Sequence, residues 1–241
     1  MALAVAGFAP VSQAADVSYF GVLKSSRYEQ ALAAPPSPLT SNAYAFNAFV
    51  VATTNFAVTN ATFKAPNVST KRTLALTTNG QSLQYDESFQ ASAALDAAYP
   101  SSSSIFSPSV YAFTMWATND GVRSGNASFA LASIPPTPQI SNLAEGTNID
   151  TTTSFTLRWT AMGGLGGIVQ LVILDPGSNG VYNSALPFTP GALAPSPTSA
   201  VILPNVLLPG TNLIGYLAFA QPGLPDTNSY PGLSEGPLGL C

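Results

Sequence analysis

Histidine does not occur among the 241 residues. Its absence removes the commonest general base, the Ser-His and Cys-His nucleophile pairs, and the imidazole ligands that zinc and copper favour. Cysteine occurs once, as Cys241, so neither a disulfide nor a thiolate metal cluster can form within one chain. Charge is equally scarce: 7% of residues are charged, against roughly 25% in an ordinary soluble domain. The eleven acids and seven bases are scattered and sum to -4. The longest basic cluster, Lys71-Arg72, is too short to track a phosphate backbone, which argues against nucleic acid as a partner. No stretch reaches the ~18 apolar residues of a membrane helix, so no membrane span is expected.

What the chain has instead is 46% hydrophobic residues, with Ser, Thr, Asn and Gln as its polar surface and 19 glycines and 21 prolines as punctuation. Many short apolar segments between turn residues predict an all-β protein. Residues 2–11 are small or apolar and are followed by Ser12-Gln13-Ala14, which predicts a partial signal peptide over residues 1–14 and a mature start at Ala15. The expected location is secreted or at the cell surface.

Strands are predicted over residues 17–23, 43–52, 56–63, 73–76 and 83–89, from period-two alternation or short apolar runs. A short helix is expected over 92–98, with Ser92 as its cap and Pro100 as its stop. In the strand 109–118, Tyr111, Phe113 and Met115 share one face and Ala112, Thr114 and Trp116 the other. Asn119-Asp120-Gly121 then supplies the turn of a hairpin, returning through 122–133. Three prolines within Pro135-Pro136-Thr137-Pro138 remove ladder donors and mark a linker. The expected organisation is therefore two tandem antiparallel β-sandwich domains, over residues 15–134 and 139–220, with an irregular Pro/Gly tail over 221–241.

In the second half, strands are predicted over 155–159, 168–174, 181–186, 199–203 and 212–220, with a turn at Asp175-Pro-Gly-Ser-Asn-Gly180. The stretch Ser154-Phe-Thr-Leu-Arg-Trp159 and the Leu208-Pro-Gly-Thr211 turn before the sixth strand resemble fibronectin type III and related immunoglobulin-like modules. The resemblance spans residues 136–220. Such modules place a tyrosine two residues after the Pro-Gly-Thr turn, where this chain has Leu213, with Tyr216 three positions on. The resemblance further implies a seventh strand, which Pro222, Pro225, Pro231 and Pro237 interrupt wherever it is sought. The first half is similar in style to bacterial secreted β-sandwich proteins.

Candidate chemistry is sparse. Asp86 and Glu87 are adjacent, and neighbours on a strand point to opposite faces, so they cannot converge as a glycosidase pair does. Asp86 with Asp96 or Asp120 is the remaining combination. The glycines of 163–167 lead into β-branched residues rather than a helix, which excludes a dinucleotide loop. The 175–180 turn has one acid, too few for calcium. No catalytic residue, metal site or cofactor is expected.

The leading expectation is a secreted, non-catalytic structural or adhesive protein that contacts another extracellular protein, a surface polymer or copies of itself. A carbohydrate-binding module is the alternative, with Trp116, Tyr99 and Tyr111 as stacking candidates. A hydrolase using a carboxylate pair is third. If the seventh strand is missing, the sixth leaves an open apolar edge carrying Leu213, Ile214, Tyr216, Leu217 and Phe219, suited to strand addition.

Overall fold

The computed structural model describes residues 16–31, 34–66, 68–101, 109–129, 136–162, 168–184, 193 and 198–225. The apolar alternation of the first half forms β1 (Val17–Ser26), two short strands β2 (Tyr28–Glu29) and β3 (Ser37–Pro38), β4 (Tyr44–Ala52), β5 (Val58–Lys64), β6 (Arg72–Thr73), β7 (Ala75–Leu76) and β8 (Ser82–Phe89). A helix, α1 (Ser92–Ala98), follows, and then the hairpin of β9 (Val110–Ala117) and β10 (Gly121–Phe129). The second half carries a 3-10 helix (Leu143–Asn148), β11 (Phe155–Arg158), β12 (Ile168–Leu174), β13 (Gly180–Asn183), β14 (Ser199–Ile202) and β15 (Ile214–Pro225). The protein is all-β, with antiparallel pairing at every ladder.

One sheet runs β6-β5-β9-β10-β15-β1-β4-β8-β7, with β12 and β13 attached through β15. It curls until β5 meets β7 and β8. The curl encloses a core of Phe20, Phe46, Phe63, Tyr111, Phe113 and Phe129, each no more than 1% exposed. Phe46 is central: its ring stacks on Tyr99 at 3.7 Å and 5°, and lies 5.6 Å from Tyr111 and 5.7 Å from Phe63. The expected inward face of β9 is realised, since Tyr111, Phe113 and Met115 are buried. At the β9–β10 turn Gly121 takes a φ of +69°, the left-handed conformation that the Asp-Gly sequence anticipates.

A second core, of Leu157, Trp159, Met162, Val169, Leu171 and Phe219 among others, lies between the β11–β14 pair and the β12–β13–β15 strands. Trp159, expected in the core, is 3% exposed. The hairpin predicted at 175–180 joins β12 to β13, its turn held by the Asp175 carboxylate, which accepts the Asn179 backbone N–H at 2.8 Å.

Two features differ from the sequence reading. Helix α1 starts at Ser92 itself, so Ala91 occupies the cap position and no side chain caps it. The last strand does not end at Ala220 but continues to Pro225, so residues 221–225 are sheet rather than irregular tail. There Pro222 pairs with Leu23 of β1, and Pro225 with Ala127 of β10. The strand thereby serves both cores. Its first part, 214–220, pairs with β12, and its last part is inserted between β1 and β10. The insertion is tight. A Cβ on Gly223 would lie 2.3 Å from Val22 Cγ2, so no side chain fits at this crossing without displacement.

Candidate functional site

The change of neighbours along β15 leaves a concave feature beside the strand among the described residues. From Ala220 to Gly223 the strand pairs with Ser25 to Val22 of β1. Beyond Ser25 the pairing with β15 ends while that with β4 continues, with Ser26 opposite Tyr44 and the Arg27 N–H bonded to the Ala43 carbonyl at 2.6 Å. Residues 214–219 keep β12 on one side and have no second strand partner among the described residues. An open groove of about 1350 Å³ lies here, lined by residues 25–30 and by 212–218, together with Ile140, Phe155 and Leu207.

The side chain of Gln30 bridges the groove as a strand would. Gln30 Nε2 donates to the Ile140 carbonyl at 2.9 Å, and the Ile140 N–H donates to Gln30 Oε1 at 2.8 Å. A primary amide here reproduces the paired donor and acceptor of a backbone peptide. Gln30 was not anticipated; one glutamine in a polar segment carries no periodic signal.

The five residues named for the edge divide by strand alternation. Ile214 and Tyr216 are 52% and 54% exposed and stand opposite Leu174 and Val172 of β12, giving an outward apolar face. Leu213 and Leu217 are partly buried against the second core, and Phe219 is buried in it.

The aromatic residues named for sugar stacking form no common surface: Tyr99 and Tyr111 both lie against Phe46 inside the first core, whereas Trp116 is on the other face of β9. Tyr99 and Tyr111 are 3% and 0% exposed, with no ring face for a ligand. Burial pushes both phenols well above their ordinary pKa, and for Tyr99 the hydrogen bond to Glu87 adds to this. Their hydroxyls are used internally: Tyr111 donates to the Pro100 carbonyl at 2.8 Å and Tyr99 to Glu87 Oε2 at 2.5 Å. Trp116 is half-buried on β9 between Asn60 of β5 and Val122 of β10.

The acids are also dispersed. Asp86 points outward and meets the Asn47 side-chain amide, whereas Glu87 points inward to Tyr85 and Tyr99, the divergence expected for strand neighbours. Burial alone raises the Glu87 pKa, but hydrogen bonds from the two tyrosines and the charge of Arg72 outweigh it and hold the carboxyl below its ordinary value. Asp120 accepts the Asp16 N–H at 2.9 Å, while Asp16 accepts the N–H groups of Asn119 and Asp120, fastening the β9–β10 turn to the start of β1. Asp96 binds Lys24. No group of three or more metal-ligating side chains gathers among the described residues, and no helix there is long and apolar enough to cross a membrane. The glycines of 163–167 and the proposed leader of 1–14 lie outside the described residues.

No family model, curated protein or solved structure matches the chain.

Proposed function

We propose that this is an exported, non-catalytic assembly or adhesion protein that accepts an extended strand along residues 214–219, the strand being supplied by a second copy of the chain. The observation that carries the reading is that residues 214–219 of β15 have one strand partner, β12, among the described residues: a row of backbone donors and acceptors lies beside an open groove, next to the exposed side chains of Ile214 and Tyr216. Sheets seldom leave such an edge uncovered, because a partner strand gains main-chain hydrogen bonds along its whole length. The pairing of β11 with β14 and of β12 with both β13 and β15 supports a fibronectin-like arrangement for the second half. In that arrangement the open side of β15 is where a seventh strand belongs. The leader-like residues 1–14 and the low charge support a place outside the cell.

Sedimentation across a wide concentration range tests the reading. The unmodified chain is expected to associate reversibly, and Ile214→Lys with Tyr216→Lys to shift it toward monomer by putting charge on the joining face. A monomer at every concentration, with amide exchange at 214–219 as slow as in β1 and β4, would show that the edge is already covered and overturn the proposal.

A further inference from the structure

Lys24 is placed where a lysine is rarely found. It lies on β1 with its side chain turned into the aromatic core, 3% exposed, opposite Phe46 on the neighbouring strand. Its Nζ stands 2.5 Å from Asp96 Oδ1 on α1, 2.9 Å from Ser101 Oγ and 5.3 Å from the centre of the Phe129 ring. The contact is held rigidly from both sides. Lys24 belongs to a strand paired along both edges, and Asp96 follows Leu95, which anchors α1 in the core at 0% exposure. The Tyr111 hydroxyl fixes Pro100 and so the approach of Ser101. Burial lowers the lysine pKa and Asp96 only partly restores it.

We propose that Lys24 and Asp96 condense to an intrachain amide in the folded protein. Burial disfavours the charged form of Lys24, and its ammonium can pass a proton across the 2.5 Å contact to the Asp96 carboxylate. The amine lone pair then attacks Asp96 Cγ. The Nζ–Cγ bond forms, the bond from Cγ to one carboxyl oxygen breaks, and that oxygen departs with two protons, both originating on the ammonium, as one water. Charge balances, since the ion pair becomes a neutral amide, and no oxidant or co-reactant is needed. Ser101 Oγ, already bonded to Nζ, relays a proton toward the departing oxygen.

Condensation is ordinarily opposed by bulk water. Groups held in contact reach effective molarities of about 10⁵–10⁸ M, which favours the bond in a fixed geometry. The 46% exposure of the Asp96 side chain gives the product water a way out. The amide also removes a buried charge and closes a loop across 72 positions, the kind of staple that a chain with one cysteine cannot make from disulfides.

Peptide mass spectrometry on the folded full chain decides the matter. The expected result is a branched peptide joining the Lys24 and Asp96 segments, lighter than its parts by one water, with proteolysis after Lys24 blocked. Lys24→Arg and Asp96→Ala should each abolish the branch, and Asp96→Asn should lose ammonia in place of water, because the same attack then expels the amide nitrogen. Separate Lys24 and Asp96 peptides at full mass from the folded unmodified chain, with Lys24 open to acylation in denaturant, would overturn the proposal and leave an ion pair only.

Discussion

Phe46 and Glu87 show how single residues divide the work of the first core. Phe46 contributes area and ring contacts, and nothing can replace its stack on Tyr99 if it is removed. Phe46→Ala should cost about 3–5 kcal/mol, the usual penalty for an aromatic deleted from a packed interior, read as a lower denaturant midpoint with an unchanged slope. Glu87 instead makes the core edge sensitive to acid. Its folded pKa lies below the unfolded value, so its contribution to stability is fully present above the unfolded carboxylate range and is lost as pH falls through the folded pKa. Tyr85→Phe with Tyr99→Phe removes the two donors that hold the carboxyl down. The double variant should show a higher Glu87 pKa by carboxyl NMR and a smaller loss of stability on acidification below about pH 5 than the parent, since less depression leaves less to lose.

At the scale of elements, the crossing of β1, β15 and β10 is the most constrained place in the sheet. Gly223 meets Val22 Cγ2 at 2.3 Å and the Ser128 backbone at 3.3 Å in the position where a Cβ would stand, and a Cβ on Gly125 would meet the Phe20 ring at 2.4 Å. Gly223→Ala should destabilise by roughly 1–3 kcal/mol through overpacking, with faster amide exchange in β1 and β10 than in β11 and β14. Elements differ in how much of this the sequence discloses. The β9–β10 hairpin is legible because Tyr111, Phe113 and Met115 alternate cleanly and Asp120-Gly121 supplies the turn. The last five residues of β15 are not, since Pro222 and Pro225 signal a break where the strand in fact continues between β1 and β10. Lys24 is illegible for a similar reason. A lysine on a strand signals solvent, and only the arrival of Asp96 from 72 positions away turns it inward. The candidate edge was visible as the apolar strand 212–220 lacking a successor, whereas the groove beside residues 214–219 lies where the pairing of β1 with β15 stops at Ser25, which no periodicity encodes.

For the whole molecule, β15 decides whether the two cores can be separated. A chain ending at residue 134 contains every described buried residue of the first core, from Val17 to Phe129, and by composition it has enough apolar surface to fold. It lacks, however, the strand that lies between β10 and β1 in the middle of the sheet. Without residues 220–225, the facing edges of Val22–Ser25 and Ala127–Phe129 lose their partners, and two backbone edges open beside the largest aromatic side chains. With a total stability typically of about 5–15 kcal/mol, a domain does not absorb the loss of a central strand easily. Residues 16–134 expressed alone should therefore unfold at lower denaturant than the same residues in the full chain, and should associate through the exposed edges. A synthetic peptide of residues 214–225 added in trans should raise the midpoint again by filling the gap, as a ligand that binds the folded state must. If the isolated fragment is monomeric and as stable as the full chain, and the peptide changes nothing, the first core closes without β15 and the two halves are independent.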